Sequence, residues 1–524
     1  MIIRPKIFEM PWLRYFCPLF RVMLRMEFFR RIGLLLLFAA FLLGACREEE
    51  VIAGGPLDLR FSADTLLIDT GLRDVGSGTY VLKVYNDRQE TVRIGEVVLS
   101  NPNSGFRINL NGQPGVRFTG VEILPRDSIY VFVEVTVSQL NNGAYLAEDD
   151  LLFRSGGEEQ RVKLVAPARD AIFYFPDRFL VLGQGDGAQV IPYSVLPGDQ
   201  SWDPGLAHVV YGYLLVDSGR TLTIQPGTDV FFHENSGLWI FDEGRLRVAP
   251  GAVPGQGDSV TFSSDRLEPG FADNPGQWGG ILGGIYIAQG GRAEINNAVI
   301  KNATTGLRTD SARYSDQLIL RNSYLLNHSR TALLAGYSNI RAENVVLANC
   351  GLYTFYAFGG NYNFVHCTFA NYWSGSVRQE PAVLLANFLE TTDANGQNLR
   401  IVRDLESAYF GNCLIYGNNQ QELVIAEDPS GALNYRFNHG IVRVDSDPSE
   451  RGFDLNDASR FTAVAANRPP GFIDPEENNY GLDSLSQAVD QGNATDGASL
   501  LFDIRGNNRN FGGLPDLGAI ERQN

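Results

Sequence analysis

In the middle of the chain, short apolar runs are bracketed by polar residues at a fixed interval of five. They read Asn297-Ala-Val-Ile-Lys-Asn302, Asn322-Ser-Tyr-Leu-Leu-Asn327, Asn344-Val-Val-Leu-Ala-Asn349 and His366-Cys-Thr-Phe-Ala-Asn371, with a degenerate copy at Asn412-Cys-Leu-Ile-Tyr-Gly417. The closing asparagines fall 25, 22 and 22 residues apart. Repetition with a period in the twenties predicts a solenoid, and three- to four-residue apolar runs predict strands rather than helices. An asparagine at each bend can exchange side-chain amide bonds with the asparagine of the next coil, roughly 4.8 Å away. The pattern predicts a right-handed parallel β-helix, with Asn297, Asn302, Asn322, Asn327, Asn344, Asn349, His366, Asn371 and Asn412 as its structural ladder.

Upstream the same short-strand rhythm begins near Tyr211, in Thr221-Leu-Thr-Ile, Asp229-Val-Phe-Phe, Gly237-Leu-Trp-Ile and Arg245-Leu-Arg-Val. Leucine-rich repeats share the period but need Leu-x-x-Leu-x-Leu before the Asn, which is absent. Residues 374–406 break the rhythm and predict a long loop or two-strand excursion. Residues 57–168 instead show alternating strands at Thr79–Tyr85, Val92–Leu99, Ile129–Val137, Asp150–Phe153 and Gln160–Val165, divided by turn residues, which predicts an antiparallel sandwich. The expected division is a leader over 1–45, a tether over 46–56, the sandwich over 57–168, a linker and cap over 169–210, the solenoid over 211–480 and a closing segment over 481–524. The expected fold class is therefore all-β.

The leader has a basic start at Met26-Glu-Phe-Phe-Arg-Arg, an apolar stretch from Ile32 to Leu43 and the exit Leu43-Gly-Ala-Cys46. About a dozen apolar residues suit a secretory signal, whereas a spanning helix needs about 20. Pro5, Pro11 and Pro18 make no n-region, so translation is expected to begin at Met26 or Met23. The exit resembles the lipobox of bacterial lipoproteins, which implies lipidation of Cys46 and cleavage before it; the alternative is a short hydrophobic anchor with an incidental cysteine. Arg47-Glu-Glu-Glu50 resembles the export signal that carries Bacteroidetes-type lipoproteins to the outer face of the outer membrane. A run of charges at a tether is otherwise a solvated linker.

The leader holds 7 of the 43 basic and 2 of the 60 acidic residues, leaving 36 and 58 and a formal charge of about −22. That excludes a nucleic-acid partner, because a phosphate backbone demands a basic surface. It suits calcium or a neutral or basic polymer, and it also simply keeps an exported protein soluble.

Two further resemblances concern whole segments. The sandwich pattern, with Val84-Tyr-Asn-Asp87, Pro125-Arg-Asp-Ser128 and Val162-Lys-Leu-Val165, resembles the immunoglobulin-like domains of the abnormal-spindle and hydin type, which implies a spacer or docking platform. In the tail, Gln487-Ala-Val-Asp-Gln-Gly-Asn493, Phe502-Asp-Ile-Arg-Gly506 and Pro515-Asp-Leu-Gly-Ala-Ile-Glu521 resemble the closing motif of the choice-of-anchor β-helix proteins, with Ile520 in place of the usual Tyr. With Asn524 as its last residue, the chain is expected to use the N-terminal lipid as its anchor.

Candidate chemistry is thin. The galacturonase signature, the pectate-lyase Trp-x-Asp-His, Gly-x-Ser-x-Gly and a zincin motif after His233-Glu234 are all absent. Asp265, Glu268 and Asp273 lie within nine residues, ahead of Trp278, and can be read as calcium ligands or as a loop packed over Trp278 with its charges in water. The aromatic block Tyr353, Phe355, Tyr356, Phe358, Tyr362, Tyr372 and Trp373 either offers rings to sugar faces or forms core ladders, the second being the ordinary arrangement. Cys367 and Cys413 share a repeat position as small core residues; a disulfide between them requires adjacent rungs, and their separation of 46 positions predicts an intervening rung or a long loop. Three function classes remain. The favoured one is a lipid-anchored surface protein that binds an extended glycan or another surface protein without catalysis and needs no cofactor. The others are a calcium-dependent polysaccharide lyase or glycoside hydrolase, and a structural stalk.

Overall fold

The computed structural model describes residues 51–53 and 57–523, apart from positions 70, 139–145, 184–186, 218, 269, 393–395 and 446–452. The leader, Cys46 and most of the tether lie outside the described residues, which are all-β, without an α-helix.

The first region is two sheets packed face to face. One carries Thr91–Leu99, Arg117–Ile123, Leu146–Ser155 and Glu158–Arg169, and the other Tyr80–Tyr85, Phe106–Leu110 and Ser128–Val135. Alternation explains the packing: in Ser128–Val135 the even-numbered side of the pleat faces outward while Ile129, Val131, Val133 and Val135 are buried. They meet Val97, Leu151, Phe153, Val162 and Leu164 of the opposite sheet in one core, each such side chain contributing about 1.5–3 kcal/mol. Leu57 N donates to Glu158 Oε2, and Thr65–Leu67 runs parallel to Lys163–Val165. The chain therefore enters beside Glu158 and leaves at Arg169, the far end of a 12-residue strand, a separation of roughly 36 Å at 3.3 Å per residue.

The second region is a 24-stranded sheet running from Ala171 to Ala466. Apart from the antiparallel hairpin Arg178–Leu182/Gln189–Val195, its strands pair in parallel. In the first half each pairs with the strand three places on: Ala207–Val210 with Asp229–Phe232, that with Val260–Ser264, and that with Ala298–Lys301. The interior is apolar throughout, from Trp202 and Leu222 through Ile285, Leu320 and Leu347 to Phe410 and Phe437. Pairing thus begins at Ala171, inside the stretch expected as linker and cap, because Ala171–Tyr174 already pairs with Ala207–Val210. Within 374–406, Val383–Ala386 joins the large sheet, while Phe388–Thr392 and Asn398–Val402 form a separate hairpin. That excursion accounts for the gap between Cys367 and Cys413. Thr368 pairs with Leu414, and Leu414 N donates to Cys367 O at 3.0 Å, so Cys367, just ahead of Thr368–Asn371, and Cys413 are brought close together as buried free thiols.

The tail lies on the outer face of the large sheet. Tyr480, Ile504, Ala519 and Ile520 cover Val346, Ala348 and Ala370, while Leu482, Ala488 and Leu517 cover Leu414, Tyr416 and Ile441. Backbone joins follow: Gly518 N donates to Asn412 O and Ala519 N to Thr368 Oγ1.

Candidate functional site

The bends come first, because they shape the surface. Asn297, Asn302, Asn322, Asn327, Asn344, Asn349, His366 and Asn412 all have φ between 46° and 67°, the left-handed region that asparagine tolerates far better than branched residues do. Asn371 is outside that set. It turns inward instead, accepting from Cys350 N at 2.9 Å and donating to Leu352 O. Direct amide stacking occurs where Asn327 Nδ2 donates to Asn302 Oδ1 (2.7 Å) and Asn344 Nδ2 to Asn322 Oδ1 (3.0 Å). Asn322 itself donates to Asn296 rather than to Asn297. Asn412 Nδ2 donates to His366 Nε2 at 3.1 Å, and burial holds His366 well below the usual imidazole range, so it stands neutral as an acceptor. His439, at φ 55° and in register with Asn412, continues this column. The substitution of His366 for Asn was the signal that could have found it. A separate stack, Asn361 on Asn339 (3.0 Å), was not anticipated.

Several of these amides also bond outside the column. Asn344 donates to Phe502 O and accepts from the buried Arg509, Asn349 donates to Asn478, and Asn412 joins Asn493. The tail thus completes the hydrogen bonding of the bends. Around Arg509 the tail buries Asp503, Asp516 and Glu521, and burial pushes the Glu521 carboxyl up to about 8.

The acidic loop does not gather its carboxylates. Asp265 is buried and accepts from His233 Nδ1 at 2.8 Å, Glu268 pairs with Arg266 at 3.0 Å, and Asp273 pairs with Lys301 at 3.0 Å. Trp278 is buried beneath, stacked on Phe232 at 4.2 Å with its indole N–H on Lys301 O. Among the described residues no group of three or more His, Cys, Asp or Glu side chains is placed to hold a metal. Instead Asp265 and His233 line a cavity of about 520 Å³ where the loop meets the first region, against Tyr80, Tyr211, Arg266 and Glu268. Hydrogen bonding to Asp265 raises the His233 pKa, and Tyr211 stacks on the imidazole at 4.5 Å.

The aromatic block divides. Phe355 and Tyr362 are both buried, and Phe355 packs against Tyr362, Phe364, Phe369 and Phe410. Tyr353, half-buried, donates to Glu380. Tyr372 and Trp373 line an open groove of about 1170 Å³. Its floor is the outer face of parallel strands, at Thr261, Val299, Lys301 and Leu326, where the covering tail stops. One wall is the loop at Asp273 and Pro275, the other the turn Pro475–Asn478 of the hairpin Phe472–Asp474/Asn479–Leu482. Phe472 meets Tyr372 edge-on at 6.1 Å, which seats that hairpin. The sequence offered Trp373 only as one ring among seven.

No protein-family model matches the chain, and no curated protein matches it. Among solved structures, one similar to it is a protein of unknown function from Porphyromonas gingivalis W83, at 14% identity and a TM-score of 0.17, over 28% of this chain and 58% of that one. A family 123 glycoside hydrolase from Clostridium perfringens is similar at 8% identity and a TM-score of 0.18, over 23% of this chain and 29% of that one. The ASH/PapD-like domain of human CEP192 is similar at 9% identity and a TM-score of 0.16, over 24% of this chain and 98% of the domain. At these scores none of the three bears on what the chain does.

Proposed function

We propose that this is an exported lipoprotein, tethered through Cys46 to the outer membrane and facing the exterior, that binds an extended ligand without chemically changing it. In this reading the large sheet is a right-handed parallel β-helix and the first region is an immunoglobulin-like spacer. Three features support the spacer role: the tether side enters at Glu158, the large sheet begins past Arg169, and an Arg169–Asp229 ion pair of 2.7 Å and the Leu72, Ala171, Val209 and Phe231 cluster join the two. Lifting a binding surface off a membrane requires such separation of ends.

The observation that carries the binding reading is the long open groove between the acidic loop and the C-terminal hairpin, with Tyr372 and Trp373 at its side. Extended ligands suit an open cleft with aromatic faces and side-chain amides. The test is to incubate the purified mature protein with a panel of polysaccharides and surface-protein extracts. Retention of a ligand with no new reducing ends or unsaturated products is expected. Product formation abolished by Asp265→Ala would replace binding by catalysis. For the anchor, Cys46→Ser is expected to release the protein from the membrane fraction, and unchanged detergent partitioning would end that part of the reading.

A further inference from the structure

Resting on the binding reading above, we propose that the groove takes a glycan of neutral or amine-bearing sugars, with one ring stacked on Trp373. The floor strands decide against a peptide. Val260–Ser264 is paired on both sides, with Asp229–Phe232 and Ala298–Lys301, and Ala298–Lys301 is paired on its other side with Leu318–His328. Their backbone donors and acceptors are spent, so an extended peptide cannot add as a strand. Recognition falls to side chains, and those present are the ones sugars use. Val299 and Leu326 are half-buried apolar floor, and at the edge the exposed Asn418 supplies an amide and Asn327 an amide oxygen, its N–H groups being held by Asn302 and Asp273.

Trp373 is held ready. Its Nε1 donates to Ser376 Oγ at 3.0 Å, and its six-membered ring lies against Gly351 and Gly375, where a Cβ would come within 3.5 and 2.8 Å of the indole. A ring fixed by its edge loses little freedom when a sugar stacks on it. Charge sets the class of sugar. Glu476 and Glu477 stand exposed on the hairpin wall, and Lys301, the groove's cation, is already engaged by Asp273. A polyuronate would bring carboxylates against carboxylates, whereas an amino sugar brings an ammonium group to Glu476 and Glu477.

The experiment is titration calorimetry of the mature chain at low salt with three probes: a β-1,4-linked glucosamine oligomer, its N-acetylated counterpart and polygalacturonate. Expected are binding of the first, weaker binding of the second and none of the third. Trp373→Ala should weaken binding roughly 3- to 10-fold, with Trp373→Phe recovering part of it. Glu476→Gln with Glu477→Gln should weaken the glucosamine oligomer several-fold and leave the N-acetylated one unmoved. Unaltered melting of each variant shows that the fold is intact. Equal binding of polygalacturonate, or affinity indifferent to Trp373→Ala, overturns the assignment while leaving a binding function at another site. Cleavage of a bound oligomer, with affinity still dependent on Trp373, supports the groove assignment and overturns the noncatalytic reading instead.

Discussion

The two regions solve burial in different ways. Between Leu57 and Arg169, alternation along antiparallel strands closes a core whose members lie within about a hundred residues of one another, and its most buried carboxylate, Asp149, is satisfied inside the same region by Ser100, Ser104 and two backbone N–H groups. Between Ala171 and Gln523 the interior is equally apolar, but the outer face of the large sheet is also apolar and is closed by the tail through contacts such as Asn344 to Arg509, 165 residues apart. The first region is self-contained. The second also depends on polar groups whose partners come from the distant tail, and a buried polar group left without its partner is costly.

That contrast can be broken by mutation, with each region's melting followed separately. Arg378→Met gives the largest expected effect. Arg378 and Glu422 are 2% and 0% exposed and meet at 2.8 and 2.5 Å, with Glu422 also accepting from Ala382 N. Removing the guanidinium strands a buried carboxylate and should cost about 3–5 kcal/mol in the second region alone. Equal loss in both regions would show that they unfold as one unit.

Asn349→Leu removes the bonds to Asn478 and to Tyr372 N and places a branched residue at φ 53°. A loss of about 1–3 kcal/mol is expected, again confined to the second region. Asp149→Asn tests the converse. It weakens charged bonds to Ser104 and Asn101 and should lower the first region's stability by about 1–2 kcal/mol without moving the second.

A pH dependence is expected as well. Glu521 is raised to about 8 by burial, so the folded tail holds a proton that the unfolded chain gives up near its ordinary value of 4.5. The contribution is full below that ordinary value, falls as pH rises and is lost once pH passes about 8. Above that, Glu521 faces Arg509 at 3.7 Å as an ion pair. Melting between pH 5 and 8 should therefore decline in the second region, and Glu521→Gln should flatten the decline.

What could be read from the chain alone was what one residue demands of its own backbone and what neighbours two apart share. The bends were legible because a left-handed φ favours asparagine wherever it occurs, and eight of the nine expected positions adopt it. The first region's strands were legible because alternation of period two is written locally, and Thr91–Leu99 and Ser128–Val135 fall within a few residues of expectation. Asn371 shows the limit: it has the spacing of its fellows but spends its amide on Cys350 and Leu352. Tertiary structure alone decided that Asp265, Glu268 and Asp273 would meet three different partners, that Cys367 and Cys413 would be neighbours although 46 positions apart, and that Trp373 rather than Phe355 would border open space. The physical reason is the same in each case. A side chain's partner is set by which distant segment the fold lays against it, and no local periodicity carries that information.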